Sequence, residues 1–249
     1  MTRSSFAVAV PVGAWHPFLP KTLASLAIQS VPLEIAFLDA SGDPRVAEAA
    51  DASGLDFAYR RQGPDGGQSV AINEGWRETG SAVVFWLNAD DQLLPGALEA
   101  VTETFETDPE LDVVYGDTEF IDGTGARLGV HDQVADISAL LLRSNVISQP
   151  SCFVQRRAVE SVNGVNAELH FVMDWDLWIR LYRSGAKFRR LERVLSAVHM
   201  GEGTKTDQVT PRRLSEVFTL VHRNVGVWAA MKSTAAVAAE TLSRRWRAL

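Results

Sequence analysis

The sequence predicts an α/β fold: a mostly parallel, Rossmann-like central sheet flanked by helices, with a helical C-terminal extension. Three observations predict it. Short β-branched or aromatic runs alternate with longer segments of helical periodicity through the first half, the pattern of βαβ units. The polar residues with chemical potential fall just behind strand-like runs, where open α/β sheets bind ligands. With 249 residues and 46% hydrophobic side chains, the chain holds enough apolar material for one large domain or two small ones, which sets aside disordered and fibrous classes.

Element by element, a first strand at 6–11 follows from Phe6-Ala-Val-Ala-Val10, cut off by Pro11 and Gly13. That length and punctuation fit a buried strand rather than a signal peptide. Leu19, Leu23, Leu26 and Ala27 recur at helical spacing and predict a helix over 17–30. Strands at 34–39, 56–60, 83–88 and 112–117 are separated by helices over 44–52, 68–78 and 95–105, the last opened by Pro95 at its first position. Beyond 117 the pattern loosens. A hairpin turn is expected at Ile121-Asp-Gly-Thr-Gly125, a short helix over 137–143, a strand over 151–154 and a helix over 174–184 closed by Gly185. The division expected is a catalytic unit over 1–207, with halves 1–117 and 118–207, and a basic helical tail over 208–249.

Charge narrows the partners. There are 24 Lys and Arg against 31 Asp and Glu, a net charge of −7, so a global footprint for nucleic acid is missing. The tail departs from the rest: residues 205–249 carry eight basic and three acidic residues, leaving 16 against 28 before them. Arg244-Arg-Trp-Arg247 suits an anionic membrane surface; packing on the catalytic unit or on a second copy, a homodimer, is the alternative. A single cysteine, Cys152, excludes an internal disulfide and a thiolate zinc site. No run approaches the roughly 20 apolar residues of a membrane span, and cytoplasmic location, with or without peripheral membrane contact, is the expectation.

Several residues stand where chemistry belongs. Asp39 ends one strand run, and Asn88-Ala-Asp-Asp91 ends another. Adjacent carboxylates at a strand exit suit a hard divalent cation; a turn before Pro95 is the plainer reading. Gly63-Pro-Asp-Gly-Gly67 is either a phosphate-meeting loop or a simple turn before the next helix. Asp174 reads as the cap of its helix, a position that keeps a carboxylate charged and fit to act as a general base. Asp176 lies four residues before Arg180, the spacing of an intrahelical ion pair. Trp175 and Trp178 offer surface for a sugar ring or filling for a core. His199 follows Val194-Leu-Ser-Ala-Val198 and is either a metal or diphosphate ligand or an ordinary loop histidine. No GxGxxG behind a strand, GxxxxGK[ST], GxSxG or HExxH is present.

Taken in order, these motifs resemble family 2 glycosyltransferases of the GT-A fold, from about Phe6 to Lys205. Pro11 and Asp39-Ala-Ser-Gly-Asp43 are similar to that family's nucleotide-binding strand exit and its VDDGSTD-like segment. Gly67-Gln-Ser-Val-Ala-Ile-Asn73-Glu-Gly75 resembles its G-x-S-x-A-x-N-x-G helix start, and Trp86-Leu-Asn-Ala-Asp90-Asp91 its metal-binding DxD segment. Tyr115-Gly-Asp117, Gln149-Pro-Ser151 and Met173-Asp-Trp-Asp-Leu-Trp178 follow, the last similar to E-D-x-x-L-W.

The resemblance implies an inverting glycosyltransferase of bacterial surface polysaccharide or glycoconjugate assembly. It would take a UDP-, GDP- or dTDP-sugar donor, Mn²⁺ or Mg²⁺, and a saccharide or lipid-linked acceptor. It implies that Pro11, Asp39, Gln68, Asn73 and Asn88 meet the nucleotide, Asp39 on the base. It further implies that Asp90, Asp91 and His199 hold the ion, that Asp174 is the base, and that Gln149 and Trp175 face the acceptor. Three positions depart from the pattern: Asn88 replaces the first Asp of DxD, Met173 an acidic residue, and Ala197 an Arg two residues before His199, leaving Lys205 as a diphosphate donor. A sugar nucleotidyltransferase and a catalytically silent nucleotide- or sugar-binding protein are the alternative readings.

Overall fold

The computed structural model describes residues 5–131, 133–134, 137–200 and 209–247, with side chains through Thr241. Lys205 lies outside the described residues. Strand β1 (Phe6–Val12) lies between the parallel strands β2 (Leu33–Asp39) and β4 (Val83–Trp86), and β3 (Tyr59–Gln62) forms the edge beyond β2. The order β3-β2-β1 is that of one mononucleotide-binding half of a doubly wound sheet, with β4 on the far side of β1.

Strand β1 is buried along its whole length because its two faces meet two separate cores. Phe6, Val8, Val10 and Val12 join a core with Leu19, Leu23 and Leu26 of α1 (Leu19–Ala27) and Val46 of α2 (Pro44–Ala52). That core also takes Leu98 and Val101 of α4 (Ala97–Thr107). Ala7 and Ala9, pointing the other way, join Ile72 and Trp76 of α3 (Gln68–Arg77) and Leu177 and Trp178 of α6 (Met173–Arg183). Alternation with period two and helices on both faces therefore produce a run with no polar side.

Beyond β4 the sheet becomes mixed. Strand β8 (Cys152–Gln155) is antiparallel to β4 and to β6 (Val113–Ile121), and β9 (Phe188–His199) runs parallel to β6. Two short strands, β5 (Asp91–Leu93) on β9 and β7 (Arg127–His131) on β6, are antiparallel to their partners. Gly116 sits where the β6–β9 register shifts; a Cβ there would stand 2.5 Å from Leu195 Cδ1 and 2.7 Å from the Arg193 carbonyl oxygen.

Several expected boundaries move. Strand β3 starts at Tyr59, not 56, because Phe57 packs on Phe37 ahead of an edge strand made of Tyr-Arg-Arg-Gln. Pro95 does not open α4: Gly96 in the left-handed region (φ 73°) turns the chain first, and the helix begins at Ala97. Residues 138–143 form turns, not a helix, and 156–161 form the unpredicted α5 (Arg156–Ser161). Helix α6 starts one residue early, so Asp174 is its second residue and Val172, not Asp174, is the cap. Gly185 closes it as expected (φ 85°), with Ala186 N donating to Leu181 O.

The tail forms α7 (Pro211–Val225) and α8 (Val227–Arg247), turning at Gly226 (φ 110°). Thr210 caps α7 by accepting from Arg213 N, and Val217, Leu220 and Val221 bury against the core shared with α6. Glu216 accepts the amides of His170 and Phe171, tying α7 to the segment that leads into α6. Among the described residues no helix is long and apolar enough to cross a membrane.

Candidate active site

The site lies beyond the carboxyl ends of the parallel strands. Pro11 is buried on β1 where pairing with β4 has already ended at Ala9, so its missing N–H costs no ladder bond there. Asp39, the last residue of β2, is 2% exposed. Its Oδ1 accepts from Ser41 N (2.9 Å) and Ser41 Oγ (2.5 Å), while Oδ2 has Gln62 Nε2 at 3.5 Å. One oxygen is thus spent on the turn. The other faces the β3 end with a single long contact among those described.

The strand exit after β4 is built around Asn88. Its Oδ1 accepts from Gln68 Nε2 (2.7 Å), and its Nδ2 donates to Asp91 Oδ2 (2.9 Å) and Gln149 Oε1 (3.2 Å). Gln149 Nε2 in turn donates to Trp86 O (2.7 Å). Gln68, Asn88, Asp91 and Gln149 are therefore one amide network. Helix α1 braces it from below: Thr22 Oγ1 donates to Ala89 O (3.0 Å) and Ser25 Oγ accepts from Leu93 N (3.1 Å).

Asp90 and Asp91 have different surroundings. Asp91, 4% exposed, pairs with Val198 as the first residue of β5. Its carboxyl is held well above the usual range, first by burial and then by the charge of Asp90. The expected pairing of the two carboxylates on one ion is corrected: Asp91 turns into the amide network. Asp90 instead groups with His199 and His16, one ligand atom from each lying within 4.8 Å of the others. The β5–β9 pairing brings Asp90 to His199. Phe18, its ring tilted at 31° and 4.5 Å from that of His199, brings the loop bearing His16, whose own ring lies 5.4 Å from His199. His16 is a residue that sequence reading missed; it lies just behind a strand, the position that marked the others.

His199 is 8% exposed, and burial, then the neighbouring His16, lowers its pKa, so the ring is neutral at pH 7. Its Nδ1 is buried and has no hydrogen-bond partner among the described residues. Two imidazoles, a carboxylate and an unsatisfied buried nitrogen fit a divalent cation.

Asp174, half-buried in the first turn of α6, accepts on Oδ2 from Asn145 Nδ2 (2.9 Å), another residue missed from sequence. Met173 beside it is buried with its sulfur 2.9 Å from Ser69 Oγ. Asp176 makes the expected ion pair with Arg180 at 2.7 Å. Trp175 does not offer a face to an acceptor: it is 2% exposed and its Nε1 donates to Leu141 O. Trp178 is equally internal, stacked on Trp86, with Trp76 beyond at an edge. Both tryptophans fill the core.

Asn73 also departs from its implied role. Its Oδ1 accepts from Val165 N (2.9 Å) and its Nδ2 donates to Val165 O (2.7 Å), so both ends of the amide grip one backbone residue. The glycine loop is braced rather than open: Gly67 N donates to Asp65 Oδ1 (2.8 Å), and Arg61 pairs with Asp65 (3.1 Å) and Glu74 (2.8 Å). On the second half, Asp117 accepts from Gln133 N and pairs with Arg190 (2.9 Å). Ser151 Oγ links Asp117 O to the buried hydroxyls of Thr118 and Ser196.

Comparison with known proteins identifies the family and the fold. Residues 8–162 match the family described as Glycosyl transferase family 2. The chain is 29% identical over 231 residues to the O-antigen biosynthesis protein RfbC of Myxococcus xanthus, covering 86% of this chain and 18% of that protein. It is 27% identical over 187 residues to the uncharacterized glycosyltransferase YwdF of Bacillus subtilis (strain 168), covering 72% of this chain and 66% of that one. Among solved structures, S. aureus TarS 1–349 in complex with UDP-GlcNAc superposes with a TM-score of 0.70 at 16% identity, over 94% of this chain and 71% of that one. The mannosyltransferase PcManGT from Pyrobaculum calidifontis, in complex with GDP-Man and Mn²⁺, gives 0.64 at 14% identity, over 98% and 76%. The fold is GT-A, and the chain belongs to glycosyl transferase family 2.

Proposed function

We propose that this family 2 chain is an inverting, cation-dependent glycosyltransferase that moves a sugar from a nucleotide-sugar donor to an acceptor hydroxyl in bacterial surface polysaccharide or glycoconjugate assembly. The observation that carries the proposal is that Asp39 and the His16–Asp90–His199 group all lie at the carboxyl ends of their strands, on the side of the sheet where such folds bind ligands. The donor classes named for TarS and PcManGT, UDP-GlcNAc and GDP-Man, and the O-antigen role named for RfbC support the substrate class and pathway.

In this reading Asp39 orients the base and the amide network sets the spacing between the donor and acceptor sides. Asp90, His16 and His199 would hold a divalent cation, which when bound neutralises the charge developing on the departing diphosphate. Asp174 accepts the acceptor hydroxyl proton, with Asn145 fixing one of its carboxylate oxygens. The freed oxygen lone pair forms the new bond to the anomeric carbon as the carbon–oxygen bond to the diphosphate breaks, its electron pair leaving with the diphosphate. In this reading Asp174 acts as base and not as nucleophile, so the transfer is a single displacement that inverts the anomeric centre.

The test is a panel of nucleotide sugars with Mn²⁺, scored by melting-temperature shift and by transfer or donor hydrolysis. A cation-dependent shift with one nucleotide, turnover of the matching sugar and its loss in Asp174→Asn are expected. Full turnover by that variant, or indifference to every nucleotide, overturns the reading.

A further inference from the structure

We infer that His16 is a protein ligand of the cation site, so that this chain offers two imidazole nitrogens and one carboxylate and takes a first-row transition ion in preference to Mg²⁺. The inference deepens the proposed function and rests on its cation dependence. The carboxylate Asp90 and the two rings present one ligand atom each within 4.8 Å of one another. Metal–nitrogen and metal–oxygen bonds of about 2.0–2.2 Å place neighbouring ligand atoms on one ion roughly 3–3.6 Å apart, so the three side chains would draw in around the ion by side-chain rotation.

Each histidine is held from behind and has a nitrogen to give. His199 is buried, and among the described residues its Nδ1 has no hydrogen-bond partner. His16 Nδ1 already presents a lone pair, toward the Phe18 amide at 3.3 Å, a long contact that an ion can replace at the cost of one weak hydrogen bond. The loop is anchored on both sides of that ring: Leu19 N donates to His16 O at 3.0 Å, and Phe18 lies in the core beside Ile121 and Ala197.

The donor set decides the ion. Mg²⁺ prefers oxygen ligands in a near-ideal octahedron and gives up water reluctantly, whereas imidazole suits the transition series, with affinity rising from Mn²⁺ to Co²⁺ and beyond. Asp91, which would have made the site oxygen-rich, is engaged by Asn88.

The experiment is a Mn²⁺ titration of the whole chain without nucleotide, followed by electron paramagnetic resonance of the free ion, with Mg²⁺ and Co²⁺ as competitors. One Mn²⁺ per chain is expected, displaced by Co²⁺ at far lower concentration than by Mg²⁺. His16→Ala and His16→Asn should each weaken Mn²⁺ by about 10-fold or more. Pulsed measurements should find nitrogen coupling from two imidazoles in the wild type and from one in either variant. His16→Asn keeps an acceptor for the Phe18 amide, so it separates ligand loss from loop damage, and melting curves establish that each variant is folded. Wild-type Mn²⁺ affinity in both variants overturns the inference, as does displacement by Mg²⁺ as readily as by Co²⁺. Mn²⁺ uptake only with nucleoside diphosphate, unchanged by either substitution, overturns it too while leaving the glycosyltransferase reading intact. Indifference to every nucleotide is what counts against that reading.

Discussion

Asn73→Ala separates two roles for one residue. The family resemblance implies support of the nucleotide, whereas the structure has Asn73 bonded to both the N–H and the C=O of Val165, across 92 residues of chain. Removing the amide deletes two hydrogen bonds, each worth about 0.5–1.5 kcal/mol, a central loss of about 2 kcal/mol. For a chain of this size that corresponds to a melting temperature lower by roughly 4–8 °C. The neighbouring glycine supplies a control. Gly164 has φ 69°, and a Cβ there would lie 2.5 Å from Asn73 Oδ1. Gly164→Ala therefore suffers both backbone strain and a collision, and only the strain persists when Asn73 is already alanine. The double variant should be less destabilised than the sum of the singles, a coupling read from thermal melts. Nucleoside diphosphate affinity, measured by calorimetry at a temperature where all variants are folded, should stay within about twofold, well under 1 kcal/mol. An Asn73→Ala protein that melts like the wild type yet binds nucleotide ten times more weakly, about 1.4 kcal/mol, would refute the reasoning.

Other substitutions test the remaining parts. Asp174→Asn, which keeps an acceptor for Asn145, should lower transfer by about 10²–10⁴-fold with donor binding unchanged; weakened donor binding would move Asp174 to the wrong side of the reaction. Because burial and Asp90 raise the Asp91 carboxyl, the native state holds its proton more tightly than the unfolded chain does. Stability is therefore lost as pH rises from the ordinary carboxylate range through the raised value. In chelator, Asp91→Asn should melt at or above the wild type at pH 8, an advantage that disappears toward pH 4; a deficit confined to pH 8 would contradict this. Cys152, its thiol pushed up first by burial and then by Asp174, should label with a disulfide reagent only as fast as the chain unfolds, and rapid labelling of native protein would show the core open there. Gly116→Ala should shift or break the β6–β9 register, visible as a fall in melting temperature larger than that of Gly123→Ala, whose new methyl meets only His199 Nε2 at 4.0 Å.

The parallel half was legible because strands buried on both faces read as unbroken apolar runs, as in Phe6–Val12. Edge strands do not: Tyr59–Gln62 carries two arginines and draws its place from pairing with β2, which no local pattern encodes. Positions of chemical interest were legible where they follow a strand, as Asp39, Asn88 and Asp90 do. Their partners were not. Whether a carboxylate faces an ion or an amide depends on which way a three-residue strand presents it, and that separates Asp90 from Asp91. His16 and Asn145 lie in loops whose approach is set by packing, Phe18 against His199 in one case and the 138–147 segment against Trp175 in the other. Trp175 misled in the opposite direction, since a flat apolar ring looks the same in sequence whether it meets a sugar or fills the core, where both it and Trp178 lie.

The amide at position 88 also constrains how this chain can change. Asn88 donates to Asp91 and Gln149 while accepting from Gln68, so restoring the family's aspartate there would set a carboxylate facing Asp91 Oδ2 across 2.9 Å, with Asp90 two residues on. Alone, Asn88→Asp is a poor step: three acids would crowd one turn, and one of them already resists ionising. Preceded by Asp91→Asn it becomes acceptable, because the amide then lies on the other side of the same bond. Positions 88 and 91 are thus coupled through one hydrogen bond, and the two substitutions are tolerated in one order and not in the other.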